Sequence, residues 1–152
     1  MKVLLAIDGS KYSEAATRAL IAQAKPRETE VRVLHVIEPV MIRGVEGIGG
    51  VEGYVIDWPT ITRELRKRGE AALTQAAQAL RTAGFQVATA MEDGNPKSVI
   101  VDFAAKWPAD LIFMGSHGRK ALDRFLLGSV SEAVVRHAPC SVQIVRIPLA
   151  LM

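Results

Sequence analysis

An α/β fold with a mostly parallel sheet and helices on both of its faces is what this sequence predicts. Three observations carry that expectation. Short apolar runs of strand length, Val3 to Ile7, Leu34 to Ile37 and Leu111 to Met114, each end at residues that favour turns or stop strands. Between them lie longer stretches with apolar residues at helical spacing. The two patterns alternate as β-α-β-α-β-α-β-α-β, the order that builds a parallel sheet through crossover helices.

Val3 to Ile7 is continuously apolar, as a strand buried on both faces must be, and Asp8-Gly9-Ser10 ends it. Ser10 is placed to cap a helix that turns Ala15, Ala16, Ala19, Leu20 and Ala24 toward the core, and Pro26 stops it. A second strand, Val31 to Ile37, stops before Pro39. Residues 41–58 lack periodicity, and Arg43 to Gly53 holds five glycines, which predicts a long mobile loop serving as a connector or a lid. After Pro59, Ile61, Leu65, Ala72, Leu73, Ala76 and Leu80 trace one face of a helix that ends near Gly84. Arg63, Arg66, Lys67 and Arg68 read as its solvated face. Gly69 in its interior costs about 1 kcal/mol of helix propensity, so packing must hold the helix there.

Phe85 to Ala90 is the third predicted strand. Asn95 caps and Pro96 begins a helix with Val99, Ile100, Phe103 and Ala104 facing inward, closed by Trp107-Pro108. Leu111 to Met114 forms the fourth strand, stopped at Gly115. The last helix runs from about Val130 to His137, broken by Ala138-Pro139. Val142 to Ile147 is the fifth strand, with two faces that differ.

At 152 residues the chain suits one domain, residues 1–152, with enough length for a core that needs no staples. A net charge of +3 is too small and too scattered an excess to imply nucleic acid. Aromatic residues at 5% are also too few for a base-stacking platform. The single cysteine, Cys140, precludes an intramolecular disulfide and reads as a buried, inert thiol, which fits a reducing cytoplasm. The N-terminal apolar run is too short for a signal peptide or a membrane span, so no membrane partner is expected.

The stretch from Asp110 to Ser131 is the most informative. Gly115, Gly118 and Gly128-Ser129 make the spacing Gly-x2-Gly-x9-Gly-Ser, with a strand in front and a helix behind. Exposed backbone amides and a helix N-terminus suit an anion, and glycine lets a phosphate approach the main chain. The same residues fit a ligand-free reading, because Ser129-Val130-Ser131-Glu132 also spells a capping box. In parallel sheets, ligands sit beyond the strands' carboxyl ends where strand order reverses. If strands one and four are neighbours there, Asp8 and the glycine loop share a crevice, a carboxylate for a ribose diol beside amides for phosphates. Asp8-Gly9 is equally a plain turn signal.

These residues carry a family resemblance. Val3-Leu4-Leu5-Ala6-Ile7-Asp8-Gly9-Ser10, Leu34-His35-Val36-Ile37, Met114-Gly115-Ser116-His117-Gly118 with Gly128-Ser129-Val130-Ser131, and Ala138 to Arg146, in this order and spacing, resemble the universal stress protein family. The resemblance covers essentially the whole chain, and the complete glycine motif implies the ATP-binding branch. It implies a three-layer α/β/α fold whose five-stranded sheet has the order 3-2-1-4-5. Position by position, it implies that Asp8 contacts the ribose, Ala6 lines the pocket and the Val36 main chain reads the adenine edge. Met114 and Gly115 would lie under the nucleoside, with Gly118 and Arg119 at the phosphate loop. Gly128, Ser129, Val130 and Ser131 would hold phosphate through amides and hydroxyls. His117 is similar to a common family residue, and we assign it no proton-transfer role. It further implies a homodimer joined along Val142 to Ile147, and Mg2+ or Mn2+ carried on the ATP phosphates rather than in a protein cage.

The leading functional expectation is a nucleotide-responsive regulator in stress response with little or no ATP hydrolysis. A slow ATPase or phosphoryl-transfer enzyme is the alternative, with Lys120 and Asp123 as its candidates. A dimeric interaction module with an unused pocket is the third. On any nucleotide reading, Gly128→Val is expected to abolish binding and leave the fold intact.

Overall fold

The computed structural model describes residues 1–39, 57–118 and 126–148. Strand β1 (Lys2–Ile7) leads through Asp8–Ser10 into α1 (Lys11–Gln23), and a 3-10 turn at Pro26–Glu28 leads into β2 (Glu30–Ile37). Then follow α2 (Trp58–Thr82), β3 (Gln86–Asp93), α3 (Pro96–Lys106), β4 (Leu111–Gly115), α4 (Ser129–His137) and β5 (Ser141–Val145). The sheet order is β3-β2-β1-β4-β5. All four pairings are parallel, so "mostly parallel" becomes wholly parallel among the described residues.

Alternation along the central strands divides the core into two layers. Val3, Leu5 and Ile7 pack with Val31, Val33 and Phe113 against Ala16 and Leu20 of α1 and Leu73 and Leu80 of α2. Leu4 and Ala6 pack with Leu34, Ile112 and Met114 against Ile100 and Ala104 of α3 and Val134 of α4. That is why β1 reads as an unbroken apolar run: both of its faces are covered.

Capping follows the sequence at two helix starts, and Asp57, expected in the loop, caps a third. Ser10 accepts from Ser13 N, and Asn95 from Lys97 N with Pro96 as the first helical residue. Asp57 accepts from Thr60 N at 3.1 Å and from the Thr60 hydroxyl. Those two hydrogen bonds, the hydroxyl's first, lower the Asp57 pKa. The cap's contribution is therefore lost as pH falls through that lowered value. Gly84, at φ +92°, ends α2 by letting Gly84 N reach Arg81 O and Phe85 N reach Leu80 O.

Several boundaries move. The expected loop 41–58 gives up its last two residues to α2, Asp57 as cap and Trp58 as first helical residue; residues 41–56 lie outside the described residues. β3 extends from the expected Phe85–Ala90 to Gln86–Asp93, paired along its length with β2. β5 is Ser141–Val145, so Arg146 and Ile147 fall beyond it. Ser13 and Thr17, polar and unassigned in the sequence, are buried in α1 because their hydroxyls donate to Ser10 O and Ser13 O. Ile61 and Leu65 do not join the core as expected: Ile61 is exposed and Leu65 half-buried, while the buried residues of α2 begin at Gly69. The helix is roughly 37 Å long and its eight-residue strand partners roughly 26 Å, so its first turns overhang the sheet.

Gly69 has a packing cause. A Cβ there would stand 2.6 Å from His35 Cδ2 and 3.1 Å from Met91 Cε, so the ring of buried His35 occupies the space of a side chain. Gly69→Ala is therefore expected to lower the Tm, reversing the usual gain from Gly→Ala in a helix. Overpacking of about 1–3 kcal/mol outweighs ~1 kcal/mol of propensity. A thermal melt checks the sign.

Candidate functional site

Order β2-β1-β4 places the point of reversal between β1 and β4, whose register aligns Ala6 with Met114. Leu34 pairs Ala6 from the other side, and Val36 lies one residue past the last β1–β2 pair, Ile7–His35. Ala6 and Met114 are buried on the α3–α4 face, and Val36 and Val130 pack on the same cluster. Four predicted site residues from β1, β2, β4 and α4 thus form one apolar surface beneath the strands' carboxyl ends.

Asp8 follows β1 directly. Its Oδ1 accepts from Ser10 N at 3.0 Å, so the turn role is genuine, with Gly9 at φ +77°. Its Oδ2 points at the glycine loop: a Cβ on Gly118 would stand 2.8 Å from that oxygen. Asp8 and Gly118 are therefore neighbours at the carboxyl ends of β1 and β4.

Ser116 ties the rest together. Its N–H donates to Val145 O on β5 at 2.9 Å, and its carbonyl accepts from Gly128 N and Ser131 Oγ, both at 2.8 Å. This draws the start of α4 against Ser116 and His117; a Cβ on Gly128 would lie 3.2 Å from His117 Cα and 3.3 Å from Ser116 O. The capping box does not form, because Gly128 is the N-cap and Ser129 the first helical residue. The Glu132 carboxylate instead pairs with Arg136 at 2.8 Å. Glu132 N makes the first rung to Gly128 O, so the amides of Ser129, Val130 and Ser131 have no acceptor within the helix. Among the described residues they meet no acceptor and are the open donors. The Gly128 amide and the Ser131 hydroxyl are not, since both serve Ser116.

Gly115 is placed differently from the expectation. It is buried, and a Cβ on it would lie 2.7 Å from the backbone C and O of Tyr12 and from Tyr12 Cβ. Strand alternation turns it to the α1 face, opposite Met114, and its missing side chain makes room for α1. Arg119, Lys120 and Asp123 lie outside the described residues. Sequence reasoning missed Tyr12, which matters by contact, and gave Ser116 no role although it lies in the Met114–Gly118 block, because it acts through its peptide groups.

A separate cleft of about 350 Å³ opens between α1 and α2, on the Ile7 face of the sheet. The short side chains of Ala71, Ala72, Ala76 and Ala79 leave it. Among the described residues its lining includes Gly9 but none of Asp8, Gly115, Gly118 and Gly128. Among the described residues no group of three or more His, Cys, Asp or Glu could hold a metal ion, and no helix is long and apolar enough to cross a membrane.

Cys140 is half-buried rather than buried. Its thiol pKa is raised, chiefly by burial and secondarily by the charge of Asp110, against a hydrogen bond to the Ile112 backbone. The neutral thiol's stabilisation is present below the unfolded pKa and is lost as pH rises through the higher folded value. Alkylation by iodoacetamide should show a pH midpoint higher in the native chain than in denaturant; equal midpoints would contradict it.

The model of the universal stress protein family matches residues 1–146. Universal stress protein MJ0531 of Methanocaldococcus jannaschii is 35% identical over 147 residues, covering 97% of this chain and 82% of that one. The solved structure of hypothetical protein MJ0577 superposes with a TM-score of 0.77 at 29% identity, over 97% of this chain and 96% of that one. A universal stress protein in complex with cAMP superposes with a TM-score of 0.66 at 25% identity, over 95% and 96%. With Asp8 beside Gly118 at the β1–β4 switch and this match along nearly its whole length, the chain belongs to the universal stress protein family.

Proposed function

We propose that this chain is a single nucleotide-binding domain that takes ATP in the crevice between Asp8, Gly118 and the start of α4, and acts as a nucleotide-responsive regulator in stress response. The observation that carries this is the trio of open amides at Ser129, Val130 and Ser131, set against Ser116 and His117 by the Ser116 carbonyl. Amides plus a helix dipole fit a phosphate. The apolar surface of Ala6, Val36, Met114 and Val130 fits a purine face, and Asp8 fits a ribose diol. A relative's complex with cAMP supports an adenine nucleotide.

Bound ATP would bring several negative charges to these amides, with Mg2+ or Mn2+ held on its phosphates. Binding stabilises whichever state it selects, by about 2.7 kcal/mol at a hundredfold excess over Kd. The reading includes a cytoplasmic homodimer joined at β5, an edge strand whose Val142, Ile144 and Val145 are half-buried. It includes little or no hydrolysis. Melting with increasing Mg-ATP tests the core of it: the Tm should climb with the logarithm of nucleotide concentration. An unmoved Tm, with no heat on titration, would overturn it, and single-turnover hydrolysis near 1 per second would make the protein an enzyme.

A further inference from the structure

Several contacts converge on residues 115–117, and of these the function proposed above uses only the hydrogen bond from Gly128 N to the Ser116 carbonyl. Tyr12, in the first turn of α1, is buried, and its backbone lies where a side chain on Gly115 would be. Its ring centroid is 5.1 Å from that of His117, the planes tilted by 46°. His117 is also held at its Nδ1, which lies 2.9 Å from Ser116 Oγ. Ser116 itself is buried and fixed at both ends of its peptide, to Val145 O and to Gly128 N.

We infer that Tyr12 is a positioning residue for phosphate recognition: its ring packs against His117 and so fixes Gly118, the next residue, beside Asp8 before any ligand arrives. The inference rests on the nucleotide reading of this crevice. The physical need is plain. Gly115 and Gly118 flank residues 116–117, and glycine lends its neighbours conformational freedom that a phosphate would have to freeze. An aromatic contact with the imidazole and a hydroxyl at its Nδ1 remove that freedom in advance, and affinity rises as the ordering cost falls. Lys11 Nζ, 5.3 Å from the centre of the Tyr12 ring, adds a cation that favours an electron-rich ring there.

Such a role acts on phosphates and not on the base or ribose, which separates it from general support of the fold. Calorimetric titration of Tyr12→Leu with Mg-ATP and with adenosine reads the difference. ATP affinity should fall about three- to tenfold, the worth of one aromatic contact, while adenosine affinity stays at the parent value. Tyr12→Phe restores the ring and should restore ATP affinity. His117→Ala, which leaves Tyr12 under the sheet, should lower ATP affinity at least as much and guards against a Tyr12→Leu chain that fails to fold. Equal losses for ATP and adenosine, or parent-like ATP binding in His117→Ala, would overturn the role. In the unliganded protein, the His117 ring-proton resonances should move in Tyr12→Leu and stay in Tyr12→Phe. An unmoved resonance rejects the clamp, whereas failure of the parent chain to bind ATP rejects the nucleotide reading instead.

Discussion

Gly115→Ala should destabilise the unliganded protein by about 1–3 kcal/mol, and Gly115→Val by more, because any Cβ at this position meets the backbone of Tyr12 at 2.7 Å. Backbone cannot swing aside as the end of a flexible side chain can. Either α1 lifts off β4 or the strand end shifts, and both uncover Phe113 and its neighbours in the α1–α2 layer. Urea unfolding measures it. A phosphate-contact role alone would give the opposite pattern, unchanged stability without nucleotide and weakened binding with it. Parent-like stability in Gly115→Ala would mean that α1 does not lie on β4 as described.

Asp8→Asn should weaken ATP and adenosine by one common factor, about ten- to a hundredfold, the worth of a hydrogen bond to a charged group. The substitution keeps an oxygen for Ser10 N, so the turn holds, and it keeps the bulk beside Gly118. What it removes is the negative charge that a ribose diol would donate to. The common factor follows because the ribose belongs to both ligands. Tighter ATP binding in Asp8→Asn would place the carboxylate against phosphates, where its charge repels, and would contradict the assignment. Paired titrations of the two ligands decide it.

Much of this was legible in the sequence because the signals were local. Unbroken apolar runs give the central strands, and Ser10, Asn95 and Pro96 mark helix starts where the structure has them. Asp8 and Gly118 meet because a β-α order with reversal at β1 and β4 brings them together. What stayed hidden depends on contact across the fold. Gly69 reads as a helix defect until His35 is seen in its side-chain space, and Gly115 reads as a phosphate glycine until Tyr12 is seen against it. Gly128 shows the same lesson in the site itself. Its amide serves Ser116, and a Cβ there would press on backbone at 3.2–3.3 Å. Gly128→Val would therefore strain residues 116–117 as well as the ligand's approach, so it is no longer expected to leave the local fold intact. Ser129 to Glu132 matched a capping box in letters, but Gly128 took the cap position and moved Ser129 one place into the helix.

The most direct test follows backbone amide resonances as Mg-ATP is added to isotope-labelled protein. The amides of Gly118, Ser129, Val130 and Ser131 should shift most, with Asp8 and Val36 following and the α1–α2 cleft residues Thr17, Ala72 and Gln75 unmoved. Shifts confined to that cleft, or none at saturating nucleotide, would contradict the assignment of the phosphates to the start of α4.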